Sequence, residues 1–298
     1  MPPRWGAMNV KEIPMPKHAK PSLEDKNIIE GTEENDQLVG TDEADALLAG
    51  EGDDTVAGGE GDDLLAGGFG DDQLSGDAGN DRLGDGSGDD TLSGGAGDDG
   101  LRASLGADKL EGGDGNDKLI SLADAGEPDP AQDPDGRVTA DQDLAADDTL
   151  TGGDGADEFI FRPLINATEE VIAAHTDPET GRVDWRAVAK ENDNVHDHWV
   201  EGIGNDVITD YSAEEGDTIV ISGHTVSVDI SYGDSDDDGI DDYTLLTLSS
   251  DQSANGGGAH DGDALGTITV LDAILTEEDI VVRPGGFAAV DRLDTWDA

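Results

Sequence analysis

The stretch GGEGDDLLAGGFGDDQLS, residues 58–75, is one nine-residue unit written twice. Working outward from it, the same unit runs ten times from Gly31 to Ile120 without a slip in register. Its sixth place is Asp36, Asp45, Asp54, Asp63, Asp72, Asp81, Asp90, Asp99, Asp108 and Asp117. Its eighth place is always aliphatic: Leu38, Leu47, Val56, Leu65, Leu74, Leu83, Leu92, Leu101, Leu110 and Leu119. Glycine holds the fourth place without a gap from Gly52 to Gly115, and Gly-Gly pairs open the units at Gly58, Gly67, Gly94 and Gly112.

One large apolar residue per unit cannot make a core, so the units must stack and pool their leucines. The residues around each leucine suit a strand of about three residues, with the leucine inward and its neighbours outward. The glycine-rich remainder must turn the chain, and glycine reaches positive φ without steric cost. Two units then make one winding, and the windings build two parallel sheets joined by turns on both sides. The fold class expected is all-β: a calcium-loaded parallel β-roll followed by a β-rich C-terminal cap with one or two short helices.

The calcium follows from the charge. Stacking sets each Asp over another at about 4.8 Å per layer. Carboxylates at that spacing repel, and the adjacent Asp53, Asp62, Asp71, Asp89 and Asp98 add to the repulsion. The units hold only Arg82, Arg102, Lys109 and Lys118 as counter-charges, so a divalent cation must lie between layers. Ca²⁺ takes about six to eight carboxylate and carbonyl oxygens in flexible geometry, whereas Mg²⁺ wants a strict octahedron and keeps its waters. The carboxylate ligands expected are Asp54, Asp63, Asp72, Asp81, Asp90, Asp99, Asp108 and Asp117, with Asp148 and Asp157 further on. The carbonyl ligands expected lie in the turns at Gly59, Gly61, Gly68, Gly70, Gly95, Gly97, Gly113, Gly115, Gly153 and Gly155.

The unit G-G-x-G-x-D-x-Leu-x is identified as the RTX, or haemolysin-type, calcium-binding nonapeptide. Similar repeats form the parallel β-roll of secreted bacterial proteases, lipases, epimerase modules and haemolysins. The resemblance implies export by a type I secretion apparatus without a cleaved N-terminal signal peptide, and an extracellular location. Thr32 and Thr41 at the second place, with Glu34 and Glu43 at the fourth, depart from the pattern. They predict that the first two turns bind calcium poorly and act as a cap. Asp85 and Ala103 also replace the opening glycine, and Ala107 precedes Asp108, so the pattern leaves the sites there open.

Across 298 residues there are 16 basic and 72 acidic side chains, a formal net charge of −56. That charge argues against nucleic acid and against anionic membrane surfaces as partners. No run approaches the ~18 apolar residues of a membrane span. There is no Cys, hence no disulfide framework. With hydrophobic content at 34% and aromatic content at 4%, the calcium-free chain is expected to be disordered.

Residues 1–27 are Pro-rich and carry five of the 16 basic residues. They read as a disordered leader or, alternatively, as an electrostatic latch on the acidic roll, and they hold no signal-peptide apolar run. Residues 28–162 are the roll, interrupted at 121–142 by a Pro- and Asp-rich surface loop. The unit returns at Asp148 with Leu150, and again from Gly152 to Phe159. Phe69, in a third place, is expected to point outward. Residues 163–204 read as a helical and loop insert: Asn166 with Glu169 is a helix start, and a second short helix runs from Trp185 to Glu191.

Residues 205–283 read as a β-rich C-terminal module and 284–298 as a tail. The segments Asp206 to Tyr211 and Gly216 to Ile221 are similar to the end cap of serralysin-type C-terminal modules. That resemblance implies Asp206, Asp210 and Asp217 as ligands of a last ion. Thr225 to Tyr232 alternates, with Val226, Val228 and Ile230 on one face, and Tyr243 to Ser249 answers it. Between them Asp234, Asp236 and Asp238 stand at places 1, 3 and 5 of an EF-hand-like loop with Gly239 at place 6. Place 12 is Leu245 and not Glu, so calcium and a solvated acidic turn both remain open.

Neither H-E-x-x-H nor G-x-S-x-G occurs, so no enzyme activity is expected. His196 and His198 have no third ligand nearby and read as structural. Paired acids of glycosidase type are not excluded by spacing, but the repeats account for most of the carboxylates. The reading is an extracellular calcium-binding protein whose roll folds on Ca²⁺ after type I secretion, with a matrix, surface or adhesion role. The alternative is a carbohydrate-binding or accessory module of a secreted enzyme, epimerase- or protease-type. It would want a basic or aromatic groove, which the repeats lack.

Overall fold

The structure, a computed structural model, describes residues 26–122, 147–162, 164–166, 199–201, 203–223, 226–236, 239–250 and 264–284. Thirteen strands follow the repeats: β1 (Asn27–Glu30), β2 (Gln37–Val39), β3 (Asp45–Glu51), β4 (Thr55–Glu60), β5 (Leu64–Phe69), β6 (Gln73–Ala78), β7 (Arg82–Ser87), β8 (Thr91–Ala96), β9 (Gly100–Ala103), β10 (Lys109–Asp114), β11 (Lys118–Leu122), β12 (Thr149–Asp154) and β13 (Glu158–Arg162). Eight more are β14 (Leu164–Asn166), β15 (Trp199–Glu201), β16 (Asn205–Ile208), β17 (Thr218–Gly223), β18 (Val226–Gly233), β19 (Tyr243–Ser250), β20 (Ala264–Leu271) and β21 (Ile280–Pro284).

Strands on the repeats alternate between two parallel sheets. One runs β1-β3-β5-β7-β9-β11-β13-β17-β21. The other runs β2-β4-β6-β8-β10-β12-β16-β20 and is then extended by β19 and β18, which pair antiparallel. Most of these strands are six residues long, not about three. Each winding lies on a near copy of itself, so the ladder continues through the Gly-Gly pair, as where Gly50 pairs with Gly68 and Gly68 with Gly86.

The eighth-place residues stack in two files. Leu47, Leu65, Leu83, Leu101, Leu119, Phe159 and Ile219 are successive partners in one sheet. Leu38, Val56, Leu74, Leu92, Leu110, Leu150, Ile208 and Val270 are successive partners in the other. Both files belong to one buried core. Segments at 205–208, 218–223, 264–271 and 280–284 thus add two further windings to the same two sheets. A smaller cluster of Ile120, Ile160 and Val220 covers the opposite face of the first sheet.

Val226, Val228 and Ile230 lie along β18 against the core, as the alternation predicts. Phe69 faces out, 55% exposed. No helix occurs among the described residues, and the helices expected from Asn166 and from Trp185 to Glu191 fall outside them apart from Asn166 itself, which is in β14. The expected loop at 121–142 also lies outside the described residues except for Ser121 and Leu122, which end β11.

The spacing of windings is set by fourth-place glycines. At Gly97 the chain has φ +138, and an added Cβ would lie 1.7 Å from the Gly79 carbonyl oxygen one winding away. At Gly239, φ +89, nothing lies within 4 Å of such a Cβ. Gly97→Ala is therefore expected to destabilise the calcium-bound protein by on the order of 3 kcal/mol or more, and Gly239→Ala by about 1 kcal/mol. Urea midpoints in calcium test this; equal shifts for the two variants would show that the close approach of windings is not limiting.

Candidate metal centre

From Asp54 onward, every sixth-place carboxylate reaches back one winding. Oδ1 of Asp54, Asp72, Asp90, Asp108, Asp148 and Asp206 accepts the backbone N–H of Asp36, Asp54, Asp72, Asp90, Asp108 and Asp148 respectively, at 2.6–3.0 Å. On the other side Asp63, Asp81, Asp99, Asp117, Asp157 and Asp217 do the same for Asp45, Asp63, Asp81, Asp99, Asp117 and Asp157, at 2.7–2.9 Å. Two files of carboxylates run along the two turn edges of the roll, and the expected ligands Asp206 and Asp217 end them.

The second oxygen of each file separates the interior from the ends. Oδ2 of Asp54, Asp63, Asp72, Asp81, Asp90, Asp99, Asp108, Asp117 and Asp157 is buried and has no hydrogen-bond partner. At the N-terminal end, Asp36 Oδ2 takes the N–H and the hydroxyl of Thr32 at 2.7 and 2.8 Å. Asp45 Oδ2 takes the same two groups of Thr41 at 2.5 and 2.8 Å. At the other end, Asp206 Oδ2 accepts from the Ser121 hydroxyl and Asp217 Oδ2 from the Ser212 N–H. Protein donors thus meet Oδ2 at the ends of each file and not in its middle, although Asp45 keeps a bare buried Oδ1.

A carboxylate oxygen buried without a donor is costly unless a cation meets it. First-place glycines make room for one. An added Cβ at Gly58, Gly76, Gly94 or Gly112 would lie 2.4–2.5 Å from Oδ2 of its own unit's Asp and 2.5–2.8 Å from a carbonyl oxygen of the next winding. The two nearest atoms in that space are oxygens, and the Oδ2 among them has no donor, which fits a hard cation such as calcium. One cation of the chain itself already reaches the file: the Lys26 ammonium donates to the Asp62 carbonyl, beside Asp63 and Asp81. Lys26 belongs to the expected leader; residues 1–25 lie outside those described.

Burial, then repulsion from the neighbouring acids, drives these carboxyls upward. Asp72, Asp117 and Asp157 are pushed up to about 6, Asp81 and Asp99 to about 7, Asp90 to about 8 and Asp108 to about 10. Asp148 rises to about 7, and Asp206 lies well above the carboxylate range. Asp45 goes the other way: burial raises it, but hydrogen bonds from Thr41 outweigh that.

The remaining expected ligands fall as follows. All ten expected glycines have positive φ, but only Gly61, Gly70, Gly97, Gly115 and Gly155 sit in the turns; Gly59, Gly68, Gly95, Gly113 and Gly153 lie near the ends of β4, β5, β8, β10 and β12. Asp210 uses its two oxygens to accept the N–H groups of Gly152 and Gly153 at 2.9 and 2.8 Å. Asp234 and Asp236 gather with Asp242, their ligand oxygens within 4.8 Å, while Asp238 lies outside the described residues. Asp242, at place 9 of that loop, was not anticipated.

Fifth-place residues form a ladder that reading by charge alone missed. Asp53, Asp71 and Asp89 accept at Oδ1 the N–H of Asp71, Asp89 and Ala107 one winding on. Asp62, Asn80, Asp98 and Asn116 do the same for Asn80, Asp98, Asn116 and Ala156. The alternation of Asp with Asn at this place was the available signal, since the two share an acceptor but not a charge.

Each raised carboxyl has a folded-state pKa above its unfolded value of 3.8, so protonation favours the metal-free fold. That contribution is full below the unfolded value and is lost as pH rises through about 6 to 8. In EDTA, strand content by circular dichroism is expected to rise on acidification from about pH 8 to 5. In calcium the midpoint of the metal titration moves to higher concentration over the same range, because protons compete for the ligands. A pH-independent spectrum in EDTA would contradict the burial of these acids.

A family model described as RTX calcium-binding nonapeptide repeat (4 copies) matches residues 24–56, 48–83, 84–119 and 142–161. No curated protein matches the chain. Among solved structures, it is similar to the AlgE6R3 subunit of the mannuronan C5-epimerase of Azotobacter vinelandii, with 21% identity over 94% of this chain and 95% of that one and a TM-score of 0.21. It is also similar to the extracellular lipase LipA of Serratia marcescens, with 13% identity over 86% of this chain and 42% of that one and a TM-score of 0.23. The matched residues include every sixth-place Asp whose buried Oδ2 lacks a donor. Residues 24–119 and 142–161 are thus RTX calcium-binding nonapeptide repeats, and these repeats bind Ca²⁺ in a parallel β-roll.

Proposed function

We propose that this protein is exported unfolded by a type I secretion apparatus and folds outside the cell on binding calcium, to serve in a matrix, surface or adhesion setting. The observation that carries the reading is the set of buried, donor-free Oδ2 atoms from Asp54 to Asp117 and at Asp157. Carbonyl ligands are assigned to the second- and fourth-place glycines, including Gly59, Gly61, Gly95 and Gly97. Bound calcium supplies positive charge and oxygen coordination between adjacent windings.

The rest follows from the chain. Without a counter-charge, the two files of acids repel and the leucines cannot be brought together. With it, Leu65, Leu83 and their partners pack, and the backbone ladders close behind them. Extracellular calcium modules bind at about 10⁻⁴ to 10⁻³ M. Such affinity would leave the chain open at cytosolic calcium and folded at external calcium. Stability rises with the logarithm of ligand concentration at every site, so several sites make the switch steep.

The test is far-UV circular dichroism during a Ca²⁺ titration from EDTA, with Mg²⁺ as control. A cooperative coil-to-strand transition near millimolar Ca²⁺, absent with Mg²⁺, is expected. A spectrum rich in strand in EDTA and unmoved by calcium would refute the folding switch.

A further inference from the structure

Asp85 stands where the repeat has its opening glycine. In its sheet, register sets it over Gly67 and under Ala103, with Ser121 next in the file. In the facing sheet the same place is Gly58, Gly76, Gly94, Gly112 and Gly152. This is the place where an added Cβ would enter the oxygen-lined cradle: at Gly67 it would lie 2.3 Å from Asp72 Oδ2. Asp85 therefore puts a third carboxylate into a cradle that elsewhere faces sixth-place carboxylates alone.

The side chain is fixed there and shielded from water. Asp85 is 2% exposed, and its two oxygens accept the N–H groups of Gly86 and of Ser104, the latter at 3.1 Å. The Ser104 hydroxyl is a third donor, and of the about four lone-pair sites of a carboxylate three donors leave one. Ligand oxygens of Asp85, Asp90 and Asp108 all lie within 4.8 Å of one another. That is about twice a Ca–O bond length, the largest separation that two ligands of one ion can have. Asp90 and Asp108 are each 2% exposed, and Oδ2 of each is without a partner. Arg102 is the basic group near Asp85, and one positive charge leaves three carboxylates net negative.

From this geometry we infer that Asp85, Asp90 and Asp108 form a calcium site unlike the others in the roll, with three side-chain carboxylates, the tightest of the series and the first to fill. The inference rests on the reading that the carboxylate files hold calcium. More ligand charge at a rigid site is what separates tight from weak calcium sites. Its place in the middle of the stack, between β7 and β10, lets windings on both sides order from it.

The experiment is a calcium titration of the full chain against a chromophoric chelator, with calorimetry for the number of sites. The variants are Asp85→Ala, which matches Ala103 in the next winding, and Asp85→Asn, which keeps the shape and an acceptor but loses the charge. The unaltered chain should show one site at least tenfold tighter than the rest. Both variants should lose that site, keep the weaker ones, and reach the same strand content in saturating calcium. If Asp85→Ala does not fold, Asp85→Asn decides alone. Unchanged titration of Asp85→Asn, or equal weakening of every site, overturns the inference. An unaltered chain that binds no calcium overturns the reading of the files themselves, a different result from a chain that binds but ignores residue 85.

Discussion

The fold described answers to one electrostatic constraint: carboxylates in two buried files, one layer apart, with no hydrogen-bond donor on the Oδ2 atoms from Asp54 to Asp117. Their Oδ1 atoms are useful to the fold, because each holds a backbone N–H of the preceding winding. Their Oδ2 atoms are a burden, because burial strips them of water and gives them no donor. Hydrophobic packing alone cannot offset that burden, since each nonapeptide contributes one large apolar residue. The proposed calcium-dependent folding rests on this imbalance, with the windings closing as charge is balanced from outside the chain.

Comparison of the interior with the ends supports this account. Thr32 and Thr41 each bring an N–H and a hydroxyl to the Oδ2 that is left bare further along. Ser121 and Ser212 do a similar service at the far end, and Lys26 brings an ammonium to the turn at Asp62. The same acid is therefore structural at the ends of a file and a candidate ligand in its middle. Position along the stack sets the role of each Asp, although the nonapeptide motif is the same.

Much of this was legible in the sequence, because strict periodicity exposes it. The two columns, Asp at the sixth place and Leu at the eighth, already imply two parallel sheets and two files of acids. Thr32 and Thr41 marked the first turns as exceptions, although their hydroxyls as stand-ins for a cation were visible only in three dimensions. The strand length was misjudged because glycine, a poor strand former, stays in the ladder when its neighbour is a copy of its own winding. Continuation of the roll by β16, β17, β20 and β21 was hidden, since Leu150, Ile208 and Val270 are adjacent in space but lie far apart in sequence. Asp85 looked like a defect in the pattern, and only its burial beside Asp90 and Asp108 gives it another meaning.

The two side-chain ladders run in opposite directions. Sixth-place acids reach toward the preceding winding, and fifth-place residues reach toward the following one. Any interior winding therefore presents on its upper face the complement of what it presents on its lower face. Such a surface is head-to-tail self-complementary and carries no intrinsic stop, the geometry from which open fibres grow. The ends carry a different chemistry: threonines that occupy Oδ2 of the first two acids, and an antiparallel hairpin, β18 with β19, laid along the last strand of one sheet. The irregular ends thus break the self-complementarity that the interior windings share.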